Sequence, residues 1–220
     1  MTSCADVLKL YLVTDRDLVR GRSVVEVVRS AVDGGVTAVQ IREKDLEAAA
    51  FLNEAAEVKK VLLGRGVPLF VNDRADIALA AGADGLHVGQ TDLPAATARR
   101  LIGPEMLLGV SVSTEDEARK ALADGADYVS VSPVFLTPTK PDADAAVGLA
   151  GIRRIRRAVG TAPVLAIGGI DTTNARSIVT AGSDGVSVVS AIMSADDPRT
   201  AARRLRREVD GGLTERGARS

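Results

Sequence analysis

Short apolar runs alternate along this chain with longer stretches in which apolar residues return every three or four positions, the signatures of strand and amphipathic helix respectively. The runs are Leu8 to Val13, Val36 to Ile41, Pro68 to Val71, Asp84 to Val88, Met106 to Val110, Ala126 to Val131, Pro163 to Ile167 and Gly185 to Val189. Between them, Ser23 N-caps a helix carrying Val24, Val27, Val28 and Ala31, and an Ala-rich helix spans Leu46 to Leu63. A short helix lies in RADIALAAGA, another runs from Pro94 to Ile102, and Thr114 with Glu117 forms a capping box for the next. Helices then follow from Gly148 to Ala158, from a cap at Thr172 or Thr173 to Ala181, and from Asp197 to Val209. Eight strand-helix units in 220 residues, with no break in composition, predict a single α/β domain, a closed (β/α)8 TIM barrel over residues 1–209. A doubly wound open sheet is the alternative, but its glycine-rich dinucleotide turn after the first strand is missing. Residues 210–220, with Gly211, Gly212 and Gly217, predict a frayed C-terminal tail.

The punctuation between helix and strand repeats: Asp33-Gly34-Gly35, Gly82-Ala83-Asp84-Gly85, Gly125-Ala126-Asp127 and Gly182-Ser183-Asp184-Gly185. In a barrel these turns lie at the bottom, so their aspartates are expected to be structural. Composition narrows the rest. A net charge of −1 argues against a nucleic-acid footprint, and no uninterrupted apolar stretch reaches a membrane span, so a cytoplasmic protein with small-molecule partners is expected. The lone Cys4 excludes an intramolecular disulfide, and a homo-oligomer is compatible with the sequence.

Catalytic groups of such barrels stand at the C-terminal ends of the strands. Gln40, Arg42 and Lys44 alternate on one face of the second strand, as a pyrophosphate site or as a solvated strand end with Lys44 paired to Glu43 or Asp45. Asn72 and Asp73 end the third strand, and Gln90 and Asp92 follow the fourth. The right-handed crossover puts both breaks on one edge, where Asp73 and Asp92 either face a single Mg²⁺ or cap the following helices. Asp76, one turn further, is a weaker candidate for the metal's waters or for an Arg. Zinc is disfavoured by one His and one Cys. Ser111 ends the fifth strand, within reach of a phosphate oxygen or ring nitrogen. Thr137-Pro138-Thr139-Lys140, in the long segment from Ser132 to Val147, reads as an anion site or as a polar turn. Gly168-Gly169 and Val189-Ser190 stand where many barrels bind phosphate, though a plain turn also needs such glycines. His87 is expected to pack within or line the barrel rather than act as a base. Together these make two anion sites across one mouth.

QIREK at Gln40 to Lys44, FVND at Phe70 to Asp73, ADGLHVGQTD at Ala83 to Asp92, GVS at Gly109 to Ser111, TPTK at Thr137 to Lys140, AIGGI at Ala166 to Ile170 and DGVSVVSAI at Asp184 to Ile192 together resemble the thiamine-phosphate synthase family. The match runs in order over nearly the whole chain. The resemblance implies a transferase that joins hydroxymethylpyrimidine diphosphate to a thiazole phosphate, or its carboxylated form, releasing pyrophosphate. It implies that Gln40, Ile41, Arg42, Glu43, Lys44, Asn72, Ser111 and Lys140 bind the pyrimidine diphosphate, with Arg42, Ser111 and Lys140 catalytic. Asp73 and Asp92 would hold Mg²⁺, and Thr137, Pro138, Thr139, Gly169, Val189 and Ser190 the thiazole phosphate. The chain departs from the family in carrying Ser130 and Ser132 where glycine is usual. A sister branch, the thiazole tautomerases, uses a His in the sixth-strand loop, and residues 132 to 147 contain none. A generic phosphate-binding barrel isomerase would not explain Asp73 with Asp92 or the TPTK stretch, and a non-catalytic ligand-binding regulator has no need of the two aspartates.

Overall fold

The computed structural model describes residues 4–136 and 146–218. Its eight strands close into one parallel barrel in sequence order: β1 Leu10–Val13, β2 Ala38–Ile41, β3 Leu69–Asn72, β4 Gly85–Val88, β5 Leu107–Val112, β6 Tyr128–Val131, β7 Val164–Ile167 and β8 Gly185–Val188. The helices are α1 Cys4–Val7, α2 Val24–Asp33, α3 Ala48–Leu62, α4 Ala75–Ala80, α5 Ala95–Ile102, α6 Glu115–Ala123, α7 Gly148–Val159, α8 Ala175–Thr180, α9 Ser190–Met193 and α10 Pro198–Gly217. The expected (β/α)8 TIM barrel is the observed fold. Among the described residues, no helix is long and apolar enough to cross a membrane.

Strand residues alternate between two cores. Leu12, Val39, Ile41, Val71 and Leu86 face outward and pack against the helices, for example against Val24, Val27, Val28 and Ala31 of α2. Tyr11, Val13, Ala38, Phe70, Tyr128 and Leu165 face inward and fill the barrel. With few aromatic residues in the chain, three of them, Tyr11, Phe70 and Tyr128, sit together here at ring separations of 5.2 to 6.4 Å. Glycine makes the room: a Cβ on Gly85 would lie 2.2 Å from the Phe70 ring, and one on Gly109 2.1 Å from that of Tyr128.

The capping boxes at Ser23 and Thr114 form as expected, with Glu26 and Glu117 reaching back to the cap. The aspartates of the bottom turns pin one strand to the next. Asp84 accepts the N–H of Leu69, Asp127 that of Leu108 and Asp184 that of Val164, at 2.7 to 2.9 Å. An arginine repeats beneath the last two. Arg99 donates to the carbonyls of Gly125, Gly103 and Met106 and to Asp127, and Arg156 donates to those of Gly182, Gly160 and Ala162 and to Asp184. Each guanidinium satisfies three turn carbonyls and a carboxylate at once, whereas at the turn before β4 the Lys59 ammonium donates to two carbonyls, those of Ala81 and Gly82.

Two expectations are corrected. The C-terminal residues are not a frayed tail, because α10 continues through Gly217. Its glycines are a packing device: a Cβ on Gly212 would lie 2.8 Å from Val179 Cβ, and Arg216 reaches Ser183 O and Asp184. That close approach to α8 offsets the roughly 1 kcal/mol per glycine lost in helix propensity. The cap of α8 is neither Thr172 nor Thr173 but Asn174, since Asp171 draws the Thr173 N–H and hydroxyl into its own turn.

Candidate active site

The strand ends surround a cavity of about 400 Å³ whose wall includes Gln40, Arg42, Asn72, Ser111, Gly169 and Ser190. Val189 lines it too. The register explains the grouping. Positions 40, 72, 87, 111 and 187 all lie on the inward face, one pleat above the aromatic plug formed by Tyr11, Phe70 and Tyr128. Alternation also removes two residues of the QIREK run. Ile41 is fully buried against the helices, and Glu43 turns aside to Arg16, which also binds Glu54. The side chains of Ile41 and Glu43 thus stand behind the cavity wall, and only their backbone is left to meet a ligand there. Thr14, wholly buried, accepts the Arg42 N–H through Oγ1 and fixes where β2 leaves the barrel.

Asp73 and Asp92 come together. Asp73 adopts a left-handed backbone with φ of 62°, uncommon outside glycine, and donates its N–H to the His87 carbonyl at 2.8 Å. The turn aims its carboxylate at that of Asp92, which is itself held by the Gly89 N–H at 2.8 Å. Burial and then the neighbouring Asp92 push the Asp73 carboxyl up to about 7, against the opposing pull of Lys44 and Arg42. Two carboxyl groups held in contact with cations nearby are suited to a hard divalent ion. Among the described residues no group of three or more His, Cys, Asp or Glu side chains gathers to hold a metal, so any further ligands would be water, an amide such as Asn72, or a ligand's own oxygens. Asp76 stands apart, exposed and paired with Arg74.

Thr137, Pro138, Thr139 and Lys140 lie outside the described residues. The flanking chain is informative. Val134 and Phe135 donate their N–H groups to Ile167 O and Gly168 O, and Leu136 lines the cavity. Gly168 and Gly169 have φ of 109° and 61°, and a Cβ on either would come within 3.0 Å of Pro133 or Phe135. These glycines thus serve a close packing of the β6 and β7 loops in addition to bordering the cavity.

His87 is buried and lines the cavity, as expected, with its ring nitrogens on Tyr128 and Ser111. Sequence reasoning passed over Tyr11, Ser187 and Asp171 as cavity residues. Ser187 is the most telling: its hydroxyl is buried and, among the described residues, has no hydrogen-bond partner. Counting every second position back from the strand ends would have found Tyr11 and Ser187. Asp171, in a loop, carries no such signal.

Residues 10–192 match the family model described as thiamine monophosphate synthase. The chain belongs to this family. It is 50% identical over 203 residues to a thiamine-phosphate synthase of Albidiferax ferrireducens, covering 92% of each chain. It is 53% identical over 198 residues to one of Chloroflexus aurantiacus, covering 90% of this chain and 91% of that one. Among solved structures, a thiamine phosphate pyrophosphorylase from Pyrococcus furiosus superposes with a TM-score of 0.87 at 39% identity, over 95% of this chain and 98% of the other. The cavity described above is thus the candidate active site of a member of this transferase family.

Proposed function

We propose that this chain is a Mg²⁺-dependent thiamine-phosphate synthase, joining hydroxymethylpyrimidine diphosphate to a thiazole phosphate, plain or carboxylated, to give thiamine monophosphate and pyrophosphate. The observation that carries the reading is the contact between Asp92 and Asp73, next in the chain to Asn72, which with Arg42 and Ser111 lines the cavity. A bound Mg²⁺ would be held by those two carboxylates and would neutralise charge developing on the departing diphosphate. Arg42 and Lys44, whose charges both act on Asp73, are placed to bind the same diphosphate, Arg42 as a planar fork and Lys44 as a point charge. Gln40, Asn72 and Ser111 orient the pyrimidine. Gly169, Val189 and Ser190 border the end of the cavity assigned to the thiazole phosphate, and Thr137, Pro138, Thr139 and Lys140 complete both anion sites in this reading.

The pyrimidine methylene–oxygen bond breaks, its electrons leave with pyrophosphate, and the thiazole nitrogen donates the pair that forms the new carbon–nitrogen bond. The electron-rich aminopyrimidine bears the intermediate cation, so the substitution is dissociative and no strong base takes part. The apolar wall of Leu165 and Ile167 limits water that would otherwise capture that cation. Purified protein mixed with both substrates and Mg²⁺ is expected to yield thiamine phosphate and pyrophosphate by mass spectrometry. Substrates consumed to other products, or untouched with Mg²⁺ present, would remove the reading.

A further inference from the structure

Behind the wall that carries Arg42, three charged side chains from three elements meet. Arg16, in the single helical turn Arg16–Leu18 after β1, donates from Nε to Glu43 at 2.6 Å and from Nη2 to Glu54 of α3. Glu43 stands between Arg42 and Lys44 in the loop that leaves β2, and only 2% of its side chain is exposed. The start of this loop is tied to β1 twice more, since Thr14 donates its N–H to Gln40 O at 2.9 Å and accepts that of Arg42. Arg42 lines the cavity, while its neighbour Glu43 is held outside by Arg16.

Two carboxyl groups share one guanidinium, so the charges do not balance. Glu43 and Glu54 lie within hydrogen-bonding reach of one another, and one oxygen of each, Oε1, is buried with no N–H or hydroxyl donor among the described residues. With both carboxyls ionised the cluster would bury an excess negative charge, which a low-dielectric site penalises heavily. A single proton on one carboxyl removes the excess and gives the other a donor. Glu54 is the one that holds it: burial and then Glu43 raise its carboxyl above the ordinary value of 4.5, against the pull of Arg16. On the elements around it, Glu57 pairs with Lys60, Lys59 reaches the carbonyls of Ala81 and Gly82, Glu26 caps α2 with Ser23, and Arg74 pairs with Asp76. Glu43 and Arg16 are thus the charges with the largest hold on Glu54.

We propose that Arg16 and a proton-bearing Glu54 are positioning residues for a diphosphate: together they hold Glu43 outside the cavity in a charge-balanced cluster, so that Arg42 and Lys44 are the charges this loop offers the ligand. The diphosphate side of this statement rests on the function proposed above. Neither Arg16 nor Glu54 is among the residues that line the cavity. They act through the loop, whose Arg42 and Lys44 charges both reach Asp73. Loss of the Glu54 proton leaves an uncompensated negative charge behind those two cations and weakens their hold on an anion.

The proton is detectable without any ligand. Glu54→Gln keeps a donor and removes the titration. A carboxyl raised on folding contributes stability that is fully present below its unfolded value, near 4.5, and is lost as pH rises through the folded one. The thermal midpoint of metal-free Glu54→Gln is therefore expected to climb relative to wild type by about 3 °C between about pH 5 and about pH 8. Asp73 titrates in both proteins and cancels in the difference. A gap that does not grow with pH overturns the proposal. The positioning is measured by calorimetry with inorganic pyrophosphate and Mg²⁺. Arg16→Gln leaves two carboxyls without their cation and is expected to weaken binding about tenfold, and adding Glu54→Gln, which removes the repulsion, to restore it to within about threefold of wild type. A double variant that binds no tighter than Arg16→Gln overturns the proposal as well. In turnover, KM for the pyrimidine diphosphate is expected to follow the same order while that for the thiazole phosphate stays put, and an equal rise in both would reduce Arg16 to a structural part. Should Arg16→Gln not fold, the Glu54→Gln melts decide alone. A wild-type protein that shows the growing gap but binds no pyrophosphate with Mg²⁺ refutes the proposed function and leaves the shared proton standing.

Discussion

Aspartates at the two ends of this barrel keep opposite company. At the bottom, Asp127 accepts from the Leu108 N–H and Arg99, and Asp184 from the Val164 N–H, Arg156 and Arg216. At the top, Asp73 meets Asp92, and its carboxyl is pushed up to about 7. Strand ends and helix ends are available at both rims, so the contrast comes from side chains alone. A carboxylate that holds the fold is given donors until its charge is balanced, while a pair left short of donors holds on to a proton, as the raised Asp73 carboxyl does.

The widest separation between the two ends is expected from Asp73→Ala or Asp92→Ala. Either should cost about a thousandfold in Mg²⁺-dependent kcat/KM while leaving the thermal midpoint unchanged or slightly raised, because a like-charge contact is lost. Normal turnover in both variants would make the top pair as structural as the bottom one. Arg156→Ala tests the other end. It strips donors from three turn carbonyls and from Asp184, and is expected to lower unfolding stability by about 3 kcal/mol in denaturant titration, with KM for the substrates little changed. A loss of under about 1 kcal/mol would show the bottom carboxylates need no such partner.

A finer test uses pH. The Asp73 carboxyl is raised on folding, so the stabilisation it contributes is fully present below its unfolded value near 3.8 and disappears as pH rises through about 7. The metal-free protein should therefore lose stability over that window, and Asp73→Asn should flatten the loss in thermal melts. Mg²⁺ has to displace the same proton, so its affinity by calorimetry should fall by up to about tenfold per pH unit below 7 and level off above it. The smallest effect belongs to Asp76→Ala, which breaks only an exposed pair with Arg74 and should alter turnover by less than about twofold. A larger loss would extend the top cluster to a third carboxylate.

Much of the site was legible because period and position suffice for it. Asp73 and Asp92 follow two successive strands joined by one short helix, and a right-handed crossover leaves them no place but the same edge. Gln40 and Arg42 share a face by alternation, and the same rule sends Ile41 to the helical layer and Glu43 to Arg16. The aromatic plug was not legible, since Tyr11, Phe70 and Tyr128 stand 59 and 58 residues apart, and their meeting depends on barrel closure and on the glycines opposite them. Nor was the ordered end of α10, whose glycines read locally as flexibility and serve as contact points against Val179 and Arg176.

What the amino-acid sequence determined by itself was the beat of eight strands and helices, the caps at Ser23 and Thr114, and which residues stand at each strand's end, because these depend on neighbours a few positions away. Only the tertiary structure decided which carboxylates are balanced, how Asp73 leans on Asp92, and that Arg16, Glu43 and Glu54 meet behind the wall of the cavity. Those depend on burial and on contacts across the closed barrel, and neither exists until the last strand pairs with the first.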